Sequence, residues 1–129
     1  MRRKVFYFTG VKMDKIYEIS LLLDFYGQLL SKKQYEILDL HFNNDYSLGE
    51  IAEHFNISRQ GIFDNIKRGK AYLLNLEEKL GLVNKFTEQK AKAEKILEYI
   101  KKINKENMNK EDIEYLKKIE IGIMDIIES

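Results

Sequence analysis

Two serines, Ser47 and Ser58, bracket the stretch that most constrains what this chain can fold into. From Ser47 to Arg68 it reads SLGEIAEHFNISRQGIFDNIKR. A serine just before an apolar-periodic run is a helix cap, because its hydroxyl accepts from a backbone N–H that the first turn leaves unpaired. Ser47 has Glu50 at the third helical position, where an acid completes a capping box. Leu48, Ile51, Ala52 and Phe55 face inward on the first helix, and Ile62 and Ile66 on the second. Asn56 makes the turn between them and Ile57 plugs it. Ala52 is small where the second helix must cross closely. Two short helices joined this tightly are a helix-turn-helix, the unit that lays its second helix in the major groove of DNA.

The flanking sequence is helical as well. The chain has no proline and seven glycines in 129 residues, so little interrupts a helix. A first helix is expected from about Asp14 to Leu30, with Ile16, Ile19, Leu22, Leu23, Tyr26, Leu29 and Leu30 at helical spacing. Leu21 and Phe25 widen that stripe beyond one face, so the helix needs cover on two sides, from the fold or from a second subunit. Ser31 with Gln34 marks a second helix by another capping box, and Tyr35, Ile37, Leu38 and Phe42 give it a core face. Asn43-Asn44-Asp45 stops it. The helix opened by Ser58 runs through Leu73, Leu76 and Leu80 to Gly81, a C-terminal stop. Residues 87–103 then carry Ile96, Leu97, Ile100 and Ile103 on one face. Asn109 with Asp112 caps a last helix striped by Ile113, Leu116, Ile119, Ile123 and Ile126. The expected fold is therefore all-α: an N-terminal helix and helix-turn-helix domain over 13–81, then a C-terminal helical hairpin over 82–129. Residues 1–12 differ in texture and are expected to be a disordered extension, with Met13 a candidate start.

Composition excludes several classes of function. Apolar residues make up 44% and charged residues 33%, proportions of a globular chain rather than a disordered one. The absence of cysteine removes disulfide scaffolds and thiolate metal sites, and makes the cytoplasm the default location. No apolar run approaches the roughly 20 residues needed to span a bilayer, so no membrane insertion is expected. Arg2-Arg3-Lys4 before Val-Phe-Tyr-Phe begins like a signal peptide, but the apolar part is too short and no small-residue cleavage site follows. His41 and His54 lack a second ligand at metal spacing. No glycine-rich phosphate loop and no nucleophile set occurs, so the chain reads as a non-enzyme without cofactor or metal.

Charge then bears on the helix-turn-helix. Lys and Arg number 22 against 21 acids, so the chain lacks the global basic field of a non-specific DNA binder. Arg59 to Lys70, by contrast, holds four cations (Arg59, Lys67, Arg68, Lys70) and one acid, Asp64. Ser58 leaves the first N–H groups of its helix free for a phosphate. Arg59 can pair with guanine and Gln60 with adenine. Lys67, Arg68 and Lys70 would follow the backbone and fix register. Asp64 repels phosphate, and Phe63 is unusual near base edges; its expected place is the core or an interface.

Residues 31–68, LSKKQYEILDLHFNNDYSLGEIAEHFNISRQGIFDNIKR with its preceding leucine, resemble region 4 of bacterial sigma factors. More closely, DFYGQLLSKKQ with DYSLGEIAEHFNISRQGIFDNIKR is similar to the YlxM-like family, over roughly Met13 to Gly81. The resemblance implies a small all-helical bundle of sigma-region-4 type. The genes of that family usually lie beside those of the signal recognition particle, which implies a regulatory role in that pathway. Ser58, Arg59, Gln60, Lys67 and Arg68 carry over as nucleic-acid contacts. Two functions from different classes follow. One is a DNA-binding regulator, expected as a homodimer through the first helix or the C-terminal stripe. The other is an adaptor that contacts a protein or the RNA of the signal recognition particle.

Overall fold

Local signals set most of the helix ends. The computed structural model describes residues 7–8, 11–12 and 15–128. Its elements are β1 (Tyr7–Phe8), β2 (Val11–Lys12), α1 (Lys15–Tyr26), a 3-10 turn (Gly27–Leu29), α2 (Lys32–Phe42), α3 (Leu48–Phe55), α4 (Arg59–Leu80), α5 (Leu82–Lys101) and α6 (Lys110–Glu128). Apart from β1 and β2, which pair antiparallel with Tyr7 opposite Lys12, the described fold is all-α. The remainder of residues 1–12, where an extension is expected, lies outside the described residues.

Ser31, Ser47 and Ser58 each cap a helix, accepting from the backbone N–H of Gln34, Glu50 and Gly61. At Ser47 the box closes in both directions, and the Ser47 N–H and hydroxyl hold the Glu50 carboxyl below the usual carboxylate range. At Ser31 only half of the expected box forms. The Gln34 amide turns instead to α4 and donates to the Asn65 carbonyl at 3.3 Å. A link between helices has replaced a local one. The first helix also ends earlier than its apolar spacing predicts. After Tyr26 the backbone passes hard against the Tyr35 ring at Gly27, where a Cβ would lie 2.7 Å from a ring carbon. Ile16 and Leu29, at the two ends of the predicted stripe, are exposed.

The first of two compact units, Met1–Asn84, is organised around α4, which packs on α1, α2 and α3. Its core is Ile19, Leu22, Leu23 and Tyr26 from α1, Ile37 and Leu38 from α2, Ile51 and Ala52 from α3, Ile62, Ile66 and Leu73 from α4, and Val83. Burying each aliphatic side chain contributes about 1.5–3 kcal/mol. Gly69 sits where α4 meets α2. A Cβ there would come 2.6 Å from Leu38 Cδ1, so the two helices approach as closely as a missing side chain allows.

Gly81 ends α4 in the left-handed region, at φ 64°. Beyond it the chain is held by a buried polar joint. Glu77 is 1% exposed, and its carboxyl oxygens accept from Tyr26 Oη at 2.6 Å and from the N–H groups of Val83 and Asn84 at 3.0 Å. The Tyr26 hydroxyl in turn accepts from the Leu82 N–H at 3.1 Å. Three of the N–H groups that a helix start leaves unpaired are thus satisfied by side chains of α1 and α4. The joint lets α5 begin at Leu82, directly after the stop and earlier than the 87–103 periodicity indicates.

The second unit, Lys85–Ser129, holds most of α5 and all of α6. Asn109 Oδ1 caps α6 by accepting from the Asp112 N–H at 2.8 Å. Ala93 and Ile100 of α5 are buried. On α6, Ile113, Leu116 and Ile123 are half-buried, whereas Tyr115, Ile119, Ile121, Met124 and Ile126 are exposed and no residue is fully buried.

Three outcomes are expected. Gly69→Ala gains about 1 kcal/mol of helix propensity but incurs about 1–3 kcal/mol of overpacking against Leu38, so its urea midpoint should fall. Gly122→Ala, where a Cβ meets nothing within 4 Å, should stabilise. Burial, followed by the hydrogen bond to Glu77, pushes the Tyr26 hydroxyl from 10.0 up to about 12. A folded value above the unfolded one gives stability that is complete below pH 10 and lost as pH rises through about 12. Urea titrations across that window should show an alkaline decline in the parent that is smaller in Tyr26→Phe.

Candidate nucleic-acid interface

The turn between α3 and α4 is built from backbone bonds. Asn56 lies in the left-handed region at φ 55° and ψ 45°, and its N–H donates to the carbonyls of Ala52 and Glu53. The Ile57 N–H donates to the Ala52 carbonyl at 3.1 Å. Asparagine tolerates this conformation better than other side-chain-bearing residues, because its short amide bonds locally. Ile57 packs on the core, and Ser58 then starts α4 with its Oγ 3.0 Å from the Gly61 nitrogen. Ala52 is buried at the crossing, beside fully buried Ile51 and Ile62. The clasp fixes the first turns of α4 against α3.

The residues singled out in the sequence occupy the first twelve positions of α4 and its cap. Ser58, Arg59, Gln60, Lys67 and Arg68 are exposed, while Asp64 and Lys70 are half-buried. Gln60, Asp64 and Lys67 share one helix face by their spacing. Gln60 and Asp64 are linked directly: Gln60 Nε2 donates to Asp64 Oδ1 at 3.1 Å. The acid is therefore a hydrogen-bond partner of the candidate adenine reader. Lys70 points elsewhere than its neighbours. Its Nζ sits 5.8 Å from the centroid of the Phe42 ring, a cation–π contact with α2. Arg59 leans toward α3, with Nε 3.8 Å from where a Cβ on Gly49 would stand.

Phe63 is 49% exposed. It lies outside the buried face of α4 and lines an open depression of about 480 Å³ with Leu48, Arg59 and Gln60. Leu48 faces inward as its spacing predicts, and its half-buried side chain also lines this depression. Periodicity places Phe63 at the margin of the buried face: one position on from Ile62, it lies about 100° round the helix from it, beside the line through Ile62, Ile66 and Leu73. His41 and His54 make local contacts, edge-on to Phe42 and Phe55 respectively.

A family model described as "Putative helix-turn-helix protein, YlxM / p13 like" matches residues 13–119. Three curated relatives, each called a UPF0122 protein, are similar to the chain. That of Acetivibrio thermocellus is 64% identical over 117 residues, spanning 91% of this chain and 100% of the relative. That of Caldanaerobacter subterraneus is 53% identical over 87 residues, spanning 67% and 74%. That of Limosilactobacillus reuteri is 44% identical over 91 residues, spanning 70% and 80%.

The left-handed turn residue gives a direct test of the clasp. Asn56→Ala should lower stability by about 1 kcal/mol, because a Cβ without a local bonding group is strained there. Asn56→Gly should hold or raise it. Thermal melts of the two variants against the parent measure the difference.

Proposed function

The chain belongs to the YlxM/p13-like family of helix-turn-helix proteins, and from that premise we propose that it is a DNA-binding regulatory protein. The observation that carries the reading is the exposure of Arg59, Gln60, Lys67 and Arg68 within the first three turns of a helix braced by α3. Arg59 and Gln60 contact base edges, and Ser58, Lys67 and Arg68 contact phosphates. Asp64 orients the Gln60 amide through their hydrogen bond. Lys70 acts more weakly, because its ammonium is shared with the Phe42 ring. The protein works as a non-catalytic homodimer in the cytoplasm, so that two recognition helices meet two half-sites and offset a net charge of only +1. The exposed apolar residues of α6 supply a contact surface for that pairing. No helix among the described residues is long and apolar enough to cross a membrane.

A second reading has two observations in its favour. Near-neutral charge with a half-buried acid on the recognition face suits an adaptor for a protein or RNA component of the signal recognition particle. Affinity capture with the full chain against particle components and against a random duplex library separates the two. Recovery of the particle, with no enriched DNA, reverses the ranking.

On enriched DNA, Arg59→Ala should relax preference at one base pair by about 1–3 kcal/mol. Lys67→Ala should weaken all sequences alike and reduce the salt slope by about one. Gel shifts at two salt concentrations measure both effects. Parent-like behaviour of both variants would count against groove binding.

A further inference from the structure

Phe63 stands half in water on the helix that carries the cations, although the same helix buries three other large apolar side chains. The core makes no use of its outer ring face. Leu48 from α3 extends the apolar surface, and Arg59 and Gln60 frame it. The patch is thus a small apolar spot beside polar side chains rather than a broad hydrophobic face. Its surroundings suit a polyanion: Arg59 lines the depression, exposed Lys67 and Arg68 follow on the same helix, and the one acid among them already accepts a hydrogen bond from Gln60.

A polyanion that offers an isolated apolar group is duplex DNA. In the major groove thymine presents a 5-methyl group, and an aromatic or aliphatic side chain is its ordinary partner. RNA does not offer that group, since uracil lacks the methyl and the A-form major groove is too deep and narrow for side chains to read. Gln60 and Phe63 lie three positions apart and therefore near one another on the helix surface. An adenine at Gln60 and a thymine at Phe63 are chemically compatible with neighbouring A·T pairs.

We propose that Phe63, backed by Leu48, reads the 5-methyl group of a thymine and is a specificity-determining residue beside Arg59 and Gln60. The inference rests on the DNA-binding reading above. Its own content is that one thymine in the site is recognised through its methyl group.

The test uses the full chain and a duplex selected by it from a random library. Each thymine is replaced singly by deoxyuridine, which removes only the methyl. One replacement should weaken binding about fourfold, the effect of losing one buried methyl group. Phe63→Ala should bind the thymine and deoxyuridine duplexes equally, and Phe63→Leu should keep part of the preference. Far-UV circular dichroism confirms that the variants are folded. If no deoxyuridine replacement changes binding, or if Phe63→Ala keeps the full preference, the inference is overturned while DNA binding stands. If no duplex is enriched, or RNA alone is recovered, the DNA reading is overturned and this inference with it.

Discussion

The inner edge of α4 is the constraint on which the first unit depends. Ile62, Ile66, Gly69, Leu73 and Glu77 form one buried line along it. Each meets a different demand. Ile62 and Ile66 close the clasp with α3, Gly69 admits α2, Leu73 fills the core, and Glu77 ties down the start of α5. Helical periodicity allows one 22-residue element to do all of this on a single face. The flank and outer face of its first turns are left exposed, and the polar residues and Phe63 are found there.

That division explains the chemistry of the candidate surface. A recognition element must hold its side chains at a defined height and angle, and rigid scaffolding supplies that better than a loop. The bracing comes from Ala52, Ile57 and the left-handed Asn56, none of which needs to touch a ligand. The polar row is itself partly organised, since Gln60 is held by Asp64. Lys70 shows the limit of the arrangement: it lies on the edge between the two faces, and the fold has taken its ammonium for Phe42.

Much of this was legible from residue order alone, and what was legible was local. Caps at Ser31, Ser47 and Ser58, the turn at Asn56 and the stop at Gly81 depend on groups within a few positions of one another. Their signatures are therefore written contiguously. The departures all involve partners on another element. Past Tyr26 the first helix gives way to the 3-10 turn, where Gly27 lies against Tyr35 of α2. Gln34 abandons its local box for Asn65 of α4. The start of α5 is set by Glu77 and by Tyr26, a residue 51 positions upstream of that acid. At the site, residue types were readable but their allegiances were not. Spacing could place Phe63 off the buried line, yet it could not show Leu48 beside it, Gln60 bonded to Asp64, or Lys70 drawn toward α2.

The joint around Glu77 has a consequence for how the molecule behaves as ionic strength varies. Its three donors, one phenol and two backbone amides, carry no formal charge, and the acid is sealed from bulk electrolyte. Mobile ions have almost no purchase on such a cluster. The guanidinium and ammonium groups on the outside of α4 are open to the medium and lose most of their reach within about 8 Å at physiological salt. Scaffold and surface therefore answer to different variables: electrolyte tunes the outer groups while the architecture that presents them stays put.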